Sequence, residues 1–212
     1  MTKPKDIVII GSSSLAKETV WIIDTVNRRG REWNFIGFVD DKKPDDAAVL
    51  GGDEWLLSRK EEIYAVCAIG DNATRKSVVD KISRNPSVKF ANIISPQAII
   101  SPRVLMGAGN IIFPNSLVTV DVTIGSHVVI NGNCNVSHDC VIGDFCCLSP
   151  GATLCGNVTL GGGVFIGAGA VVIQGLAVGE NALIGAGAVV IGNADAESLY
   201  VGIPARTAGH AR

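Results

Sequence analysis

The sequence predicts two parts, an α/β head built on a small parallel sheet and, after it, a three-sided parallel β-helix. Strands and helices alternate up to about residue 92, whereas an aliphatic residue recurs at every sixth position beyond it. Aromatic residues make up only 5% of the chain while glycine contributes 25 residues, which favours thin layers of aliphatic side chains. We therefore predict a head domain over residues 1–92 and a β-helix domain, with a short C-terminal tail, over residues 93–212.

The head is predicted from its strand–helix alternation. An aliphatic run at residues 7–10 indicates a buried strand, and Gly11 to Ser14 form a turn into a helix over residues 15–29. The remaining elements are strands at residues 35–39 and 64–69 and helices at residues 54–60 and 72–83. Three or four parallel strands make half of a dinucleotide-binding fold, so this Rossmann-like sheet suits a ligand the size of a mononucleotide.

The β-helix is predicted from an unbroken period of six. The aliphatic series starts at Ile94 and ends at Val190, and a small or β-branched residue most often stands two positions before each member. Both positions are expected to face inward, because alternate residues of a strand share one face. Five glycines lie three hexads apart, which predicts three sides per coil and a stack of glycines at one corner with positive φ. They are Gly107, Gly125, Gly143, Gly161 and Gly179.

Charge and composition argue against several classes of protein. A net charge of −2 gives no basic surface for nucleic acid, and no apolar run is long enough to insert into a membrane. A strand follows the first few residues directly, so we expect a cytoplasmic protein. The repeat holds only two histidines, His127 and His138, which are too few for a zinc site, and we expect no metal. Three cysteines fall on small inward positions and are expected to be buried filler: Cys134, Cys140 and Cys146.

Two features of the head suggest a nucleotide. The turn from Gly11 to Ser14 leads from a strand into a helix, where free backbone N–H groups and the helix dipole favour a phosphate. Asp40 and Asp41 end the next strand, where a carboxylate can bind ribose or the N–H groups of a base. The alternative is that both are ordinary polar turns.

One pair in the repeat suggests acid–base chemistry. His138 lies outside the inward-facing series, so its imidazole is expected to face solvent or a neighbouring chain. Imidazole transfers protons well near neutral pH, and the adjacent Asp139 carboxylate can fix its tautomer. The alternative is an ordinary surface histidine. We expect His127 at the surface of a coil corner and His210 in a frayed tail.

The combination of head, hexapeptide region and a few local motifs resembles a known family. The motifs are Asn131, the run from Ser137 to Cys140, and the run from Ile142 to Phe145. They look like those of the sugar acetyltransferases of the sialic-acid and bacillosamine pathways. The resemblance implies that the β-helix is left-handed, that the head holds a nucleotide-linked amino sugar, and that acetyl-CoA, a co-substrate, lies between adjacent β-helices of a homotrimer.

The resemblance also implies roles for individual residues. His138 matches the catalytic base and Asp139 its supporting acid, while Asn131 matches a pocket asparagine. The sugar-nucleotide positions are Gly11, Ser13, Ser14, Asp40, Asp41 and Gly70. The coenzyme positions are Cys147, Ala168 and Ala186. The chain has Ser14 and Leu15 where family heads commonly have Gly-His, Cys147 where relatives often have His, and Asp139 where some have Glu.

These inferences predict an acetyl-CoA-dependent N-acetyltransferase that acts on the amine of a nucleotide-linked amino or dideoxy sugar for surface glycans. We expect direct attack with His138 as general base and no acyl-enzyme. Two alternatives stay open. The first is O-acetylation of a sugar hydroxyl, as on sialic acid, and the second is a non-catalytic β-helix protein that binds sugar nucleotides.

Overall fold

The computed structural model describes residues 3–43 and 48–211. The chain divides into two compact units, one ending at Ser95 and the other beginning at Pro96. Within the described residues, no helix combines the length and the apolar character that crossing a bilayer requires.

The first unit is a five-stranded, all-parallel sheet with strand order β3-β2-β1-β4-β5 and helices between the strands. The predicted parallel sheet is confirmed, but it has five strands where three or four were expected. The two that the pattern missed, β3 and β5, are only three residues long and show no clear alternation. The elements are β1 (Lys5–Ile10), α1 (Ser14–Asn27), β2 (Trp33–Val39), β3 (Val49–Gly51), α2 (Asp53–Leu57), β4 (Ile63–Cys67), α3 (Asn72–Ile82), β5 (Val88–Phe90) and β6 (Ile93–Ile94).

The central strand β1 explains why this sheet forms. Its residues Ile7 to Ile10 are almost completely buried, as expected for a parallel strand covered on both faces. Ile10 pairs with Val39 of β2 on one side and with Cys67 of β4 on the other. The carboxyl ends of these three strands therefore meet at one edge, together with the loops that follow them. Ligands of open α/β sheets bind at such an edge.

The second unit is a parallel β-helix, as predicted. Most of its strands have two residues, of which the second points inward and is buried; from Ile111 to Val190 this holds for every strand. The strands are β7 (Ile99–Ile100), β8 (Leu105–Met106), β9 (Ile111–Ile112), β10 (Leu117–Val118), β11 (Thr123–Ile124), β12 (Val129–Ile130), β13 (Asn135–Val136), β14 (Val141–Ile142), β15 (Cys147–Leu148), β16 (Thr153–Leu154), β17 (Thr159–Leu160), β18 (Phe165–Ile166), β19 (Val171–Val172), β20 (Ala177–Val178), β21 (Leu183–Ile184), β22 (Val189–Val190), β23 (Ser198–Val201) and β24 (Arg206–His210).

Every third strand stacks on the next to make one face, so that Val118 lies beside Val136 and Val136 beside Leu154. One face runs from β7 to β22, a second from β8 to β20, and a third contains β9, β12, β15, β18 and β21 and continues into β23 and β24. Each coil therefore has three sides of six residues, and the period inferred from the sequence is confirmed.

The reason for the stacked glycines differs from the prediction. None of the five has positive φ; instead, there is no space for a side chain between successive coils. A Cβ atom on Gly143 would lie 2.7 Å from the backbone carbon of Gly161, and one on Gly161 would lie 2.6 Å from the backbone nitrogen of Glu180. The left-handed positions come two residues later and recur in all three corners, for example at His127, Asp139 and Gly169.

Two predictions about histidines are wrong. His127 does occupy a corner, with φ of 58°, but its side chain is buried and stacks on Phe145 at a ring-centroid distance of 5.1 Å. The tail is not frayed, because His210 ends β24, which pairs antiparallel with β23. Both errors have the same cause: His127 is buried by Phe145 of another coil, and His210 is held by pairing with another strand.

Candidate active site

A cavity of about 220 Å³ lies at the carboxyl edge of the head sheet. Four of the predicted sugar-nucleotide residues line it together: Gly11, Ser13, Asp40 and Asp41. The other lining residues are Ile10, Ser12, Val39, Lys42, Asp53, Ile69, Thr74 and Val78. The loops after β1 and β2 form one side of the cavity, and the loop after β4 and the first turns of α3 form the other. Its position is that of the ligand crevice of a doubly wound fold.

Asp40 ties the first two loops together. Its Oδ2 accepts from the backbone nitrogen of Ser12 at 3.0 Å and from the Ser12 hydroxyl at 2.7 Å, and its Oδ1 accepts from the backbone nitrogen of Lys42 at 2.8 Å. Burial acts to raise the pKa of Asp40, but these hydrogen bonds outweigh it and hold the pKa below its ordinary value. The carboxylate therefore stays ionised and fixes the shape of the loop after β1.

The N-terminus of α1 is open toward an anion. Ser13 occupies the N-cap position, but its side chain accepts no hydrogen bond from the helix, and the first turn contains no acidic residue. Within the described residues, the first helical N–H groups, those of Ser14, Leu15 and Ala16, have no hydrogen-bond acceptor. Such a turn favours a phosphate group, since the helix dipole adds to the free donors.

A second acidic pair lines the cavity. Asp41 Oδ1 accepts from the backbone nitrogen of Asp53 at 3.0 Å, and the Asp53 carboxylate lies 3.2 Å from Lys81 Nζ. Burial raises the pKa of Asp53, as does the nearby charge of Asp41, while Lys81 acts to lower it. A side chain at Gly52 would collide with the Asp41 carboxylate. Asp53 is a residue that the sequence analysis missed, because it directly precedes the helix predicted at residues 54–60 and belongs to no motif.

Ser14 and Gly70 do not line the cavity, although each is adjacent to it in the chain. Ser14 is the exposed first residue of α1 and follows the lining residue Ser13. Gly70 is exposed and follows the lining residue Ile69; its φ is ordinary, and no atom lies within 4 Å of where its Cβ would stand. Nothing in the protein itself therefore requires glycine at this position.

His138 and Asp139 lie together on an exposed corner of the β-helix. His138 Nδ1 is 2.7 Å from Asp139 Oδ2, and the two side chains are 61% and 58% exposed. Asp139 has φ of 60°, so the corner turns its side chain back toward the preceding imidazole. The predicted exposure of His138 is confirmed.

Gly156 makes room for the imidazole. It stands one coil beyond His138 on the same corner, where the backbone nitrogen of Asn157 donates to the His138 carbonyl at 2.8 Å. A Cβ atom on Gly156 would lie 2.6 Å from both Cε1 and Nε2 of His138. The period of the repeat was sufficient to find this residue, since it follows His138 by one coil of three hexads.

The predicted coenzyme positions Ala168 and Ala186 lie on a different corner of the β-helix from His138. We call residues 131–133, 149–151, 167–169 and 185–187 the alanine edge, and residues 137–139, 155–157 and 173–175 the histidine edge. Ala168 and Ala186 are exposed on the alanine edge, with the backbone nitrogen of Gly187 donating to the Ala168 carbonyl at 2.8 Å. The two edges border the face that runs from β7 to β22, so they lie on opposite sides of that face.

Asn131 is the first residue of the alanine edge and Cys147 lies near that edge, but the Asn131 amide is turned toward the neighbouring coil. The Asn131 amide donates to the Leu148 carbonyl at 2.9 Å and lies 3.9 Å from the Cys147 sulfur. The Cys147 side chain is only 6% exposed. Contact between Cys147 and a coenzyme thus requires movement of its neighbours or use of its backbone.

The inward cysteines are buried filler, as predicted. Cys134, Cys140 and Cys146 are fully buried, and each thiol donates to a backbone carbonyl of a neighbouring coil. Burial raises the pKa of Cys134 to about 11. Burial also raises the pKa of Cys140, and all three thiols lack the exposure of a nucleophile.

Comparison with known proteins supports the assignment of both units. Residues 6–82 match the family model of the PglD N-terminal domain, and residues 121–156 match that of the bacterial transferase hexapeptide repeat. A comparison with curated proteins found no match.

Several solved structures are similar over nearly the whole chain. One is the complex of a histidine-to-alanine variant of GDP-perosamine N-acetyltransferase from Caulobacter crescentus with CoA and GDP-perosamine, with 32% identity, a TM-score of 0.88, and coverage of 96% of this chain and 97% of that chain. The acetyltransferase domain of PglB from Neisseria gonorrhoeae, in complex with acetyl coenzyme A, has 26% identity, a TM-score of 0.85 and coverage of 97% and 100%. WeeI from Acinetobacter baumannii has 28% identity, a TM-score of 0.85 and coverage of 96% and 99%.

The similarity extends through both units, and the identity to the perosamine enzyme holds over almost its full length. With its PglD-type head and hexapeptide repeat, the chain therefore belongs to the family of left-handed β-helix sugar acetyltransferases.

Proposed function

We propose that the protein transfers the acetyl group of acetyl-CoA to the amine of a nucleotide-linked amino sugar. The observation that carries the proposal is the exposed His138–Asp139 pair, with 2.7 Å between Nδ1 and Oδ2, above a glycine that leaves room for the ring. The similar perosamine enzyme, which binds CoA and GDP-perosamine, supports the substrate class. The acetamido sugar formed is of the kind used in glycan assembly.

His138 acts as the general base. Its Nδ1–H donates to the Asp139 carboxylate, which leaves the lone pair on Nε2 to accept a proton. The sugar nitrogen attacks the thioester carbonyl and gives its proton to Nε2. The N–C bond forms first and leaves the negative charge on the carbonyl oxygen; this oxyanion then collapses, the C–S bond breaks, and the imidazolium gives the proton to the departing thiolate of CoA. Asp139 stabilises the imidazolium between these two transfers.

Gly156 has a second role in the proposal. The Cβ position of Gly156 adjoins the imidazole, and no described group accepts a hydrogen bond from its backbone N–H. A free backbone donor at this position is suited to the oxyanion that develops on the thioester carbonyl. The absence of a side chain at Gly156 thus leaves room for the imidazole of His138 and leaves the backbone N–H open to the substrate.

The positions of the two edges favour a site shared between chains. The alanine edge and the histidine edge lie on opposite sides of one face. We propose a homotrimer in which the alanine edge of one copy, with Ala168 and Ala186, meets the histidine edge of the next. Acetyl-CoA then lies along the alanine edge of one copy and presents its thioester to His138 of the other.

The head supplies the nucleotide site. The open first turn of α1 and the cavity bounded by Asp40 and Asp41 are suited to the phosphates and the nucleoside, respectively. Asn131 stays a candidate for contact with the sugar. The proposal requires only that the sugar amine reach His138 of the same copy or of a neighbouring copy.

The test is release of free CoA thiol from acetyl-CoA with a panel of UDP-, dTDP- and GDP-linked amino sugars. We expect one carrier to support turnover, and His138→Ala to lower kcat at least about 100-fold, the usual contribution of a general base. His210→Ala removes the other exposed histidine and should leave kcat unchanged. Equal activity of His138→Ala and the wild type would exclude His138 as the base.

The product distinguishes N-acetylation from O-acetylation. An acetamide resists mild alkali, whereas an acetate ester is hydrolysed by it. If none of the amino sugars supports thiol release that depends on His138, while free sialic acid does, the assignment to an amine is wrong. If the protein binds nucleotide sugars but neither substrate class gives turnover, it is a binding protein.

A further inference from the structure

Arg75 is the one arginine of the described head that is completely buried, and the chemistry proposed above does not use it. It lies in the first turn of α3, and arginine is a residue that is almost never fully buried unless it is paired. A buried guanidinium is costly unless its donors are satisfied. The acceptors of its hydrogen bonds therefore identify the part of the head that it stabilises.

The guanidinium binds the loop between β4 and α3, which borders the nucleotide cavity. Nη1 donates to the carbonyl of Ile69 at 2.8 Å and to that of Gly70 at 3.3 Å, and Nη2 donates to Asn72 Oδ1 at 2.8 Å. The loop is thus held through two consecutive carbonyl groups. Asp71 fixes its other end by accepting from the backbone nitrogen of Thr74 at 2.8 Å.

The two carbonyl contacts determine where the neighbouring N–H groups point. In a trans peptide the N–H lies opposite the C=O of the same plane. Since the carbonyls of Ile69 and Gly70 face Arg75, the N–H groups of Gly70 and Asp71 face away from it. No group within residues 3–43 and 48–211 accepts from either N–H. Both residues are exposed.

Gly70 points to the same conclusion independently. Its φ is ordinary and the space beside its Cα is open, so the protein alone would accept alanine there. When neither the backbone conformation nor a neighbouring protein atom requires glycine, a glycine is suited to the close approach of a ligand to the backbone. The loop neighbours the first turn of α1, because β1 pairs directly with β4.

We propose that Arg75 is a positioning residue, which orients the N–H groups of Gly70 and Asp71 to bind the phosphates of the nucleotide sugar opposite the first turn of α1. This inference rests on the proposed function, because it assumes that the head cavity receives a nucleotide. Arg75 itself touches no phosphate and acts through the loop.

The test compares nucleosides with their diphosphates, using titration calorimetry with uridine, thymidine and guanosine and with UDP, dTDP and GDP. Arg75→Met should weaken binding of the preferred diphosphate about tenfold or more, the loss expected for one charge-assisted hydrogen bond. Binding of the matching nucleoside should change less than twofold. Arg75→Lys, which keeps the charge without the fork of donors, should recover part of the loss. Arg84→Met, at an exposed arginine after α3, is the control.

Gly70→Ala is the second variant and does not depend on the folding of the Arg75 variants. We expect it to weaken diphosphate binding by a similar factor with an unchanged Tm, because only the ligand meets the new methyl group. Gly30→Ala is its matched control, since Gly30 also has ordinary φ and open space. In steady-state assays with a nucleotide sugar that the enzyme acetylates, both test variants should have a higher KM for that sugar. Their kcat and their KM for acetyl-CoA should stay within twofold of the wild-type values.

Three results would overturn the inference: unchanged diphosphate binding in Gly70→Ala, an equal loss of nucleoside and diphosphate binding in Arg75→Met, or no binding of any of the three diphosphates to the wild type. The titrations need no turnover. Failure of acetyl transfer with normal diphosphate binding would therefore count against the proposed function, and not against the role of Arg75.

Discussion

The two units of this protein build their candidate sites in opposite ways. In the head, individual polar side chains hold the loops: Asp40 binds Ser12, Asp71 binds Thr74, and Arg75 binds two consecutive carbonyls. In the β-helix, the backbone of each coil holds the next, and His138 and Gly156 are local departures from a uniform repeat. A head site is therefore sensitive to single side chains, whereas a β-helix site is sensitive to the spacing between coils.

The largest effect that we predict is at Gly143, where a glycine-to-alanine substitution tests this difference. A Cβ atom there would lie 2.7 Å from the backbone of Gly161 and Gly162, which cannot move without separating two coils. We expect Gly143→Ala to lower the free energy of unfolding by about 1–3 kcal/mol or more, the range for overpacking. The measurement is denaturant unfolding followed by circular dichroism.

Gly192→Ala is the matched control within the β-helix. Gly192 also has ordinary φ, but no atom lies within 4 Å of its Cβ position. Alanine should therefore be neutral or slightly stabilising there. If Gly143→Ala is as stable as Gly192→Ala, the stacked glycines are not required by the coil spacing.

Gly156→Ala should show the opposite result, a loss of activity with little loss of stability. The three atoms nearest to its new methyl group would all belong to the imidazole of His138, two of them at 2.6 Å, and a side chain can rotate away. The displaced ring would lose its alignment with the amine, so we expect kcat to fall roughly 10- to 100-fold with a small change in Tm. Thiol release and thermal unfolding measure the two effects. A large drop in Tm with normal kcat per folded molecule would show that Gly156 serves packing alone.

The same contrast explains which features the sequence predicts. A β-helix repeats one set of contacts, so the inward positions, the three sides and the exposure of His138 all follow from a period of six. The burial of His127 does not follow, because it depends on Phe145, a residue of another coil. The C-terminal hairpin forms by pairing along the last coil, which no local pattern of the tail indicates.

The candidate site of the head was less predictable for a related reason. Glycine, serine and aspartate at strand ends located the cavity, because the topology of a parallel sheet brings those ends together. The residues that hold these loops in place could not be identified from the sequence. Asp53 and Arg75 are charged residues, which a sequence alone places at the surface, but both are buried. The Asp53 backbone nitrogen donates to Asp41, and the Arg75 guanidinium donates to the carbonyls after β4.

The smallest effect that we predict concerns Asp40 and pH. Because its pKa in the folded protein lies below the ordinary value of 3.8, its carboxylate stabilises the fold at pH values above that value, and this contribution is lost as pH falls through the lower folded pKa. Asp40→Asn replaces one of the two acceptor oxygens by an NH₂ group, so either Ser12 or the backbone nitrogen of Lys42 loses its acceptor. We expect it to cost about 1 kcal/mol or less near pH 7, since the group is partly exposed to solvent.

The difference between wild type and Asp40→Asn should therefore shrink as the pH is lowered below about 4. Thermal unfolding of both proteins from pH 7 to pH 2.5 measures it, with Asp24→Asn, at an exposed aspartate of α1, as the control. A difference that stays constant over this range would mean that the shape of the side chain, and not its charge, holds Ser12. The loop after β1 would then resemble the β-helix, in which packing and not charge sets the geometry of the site.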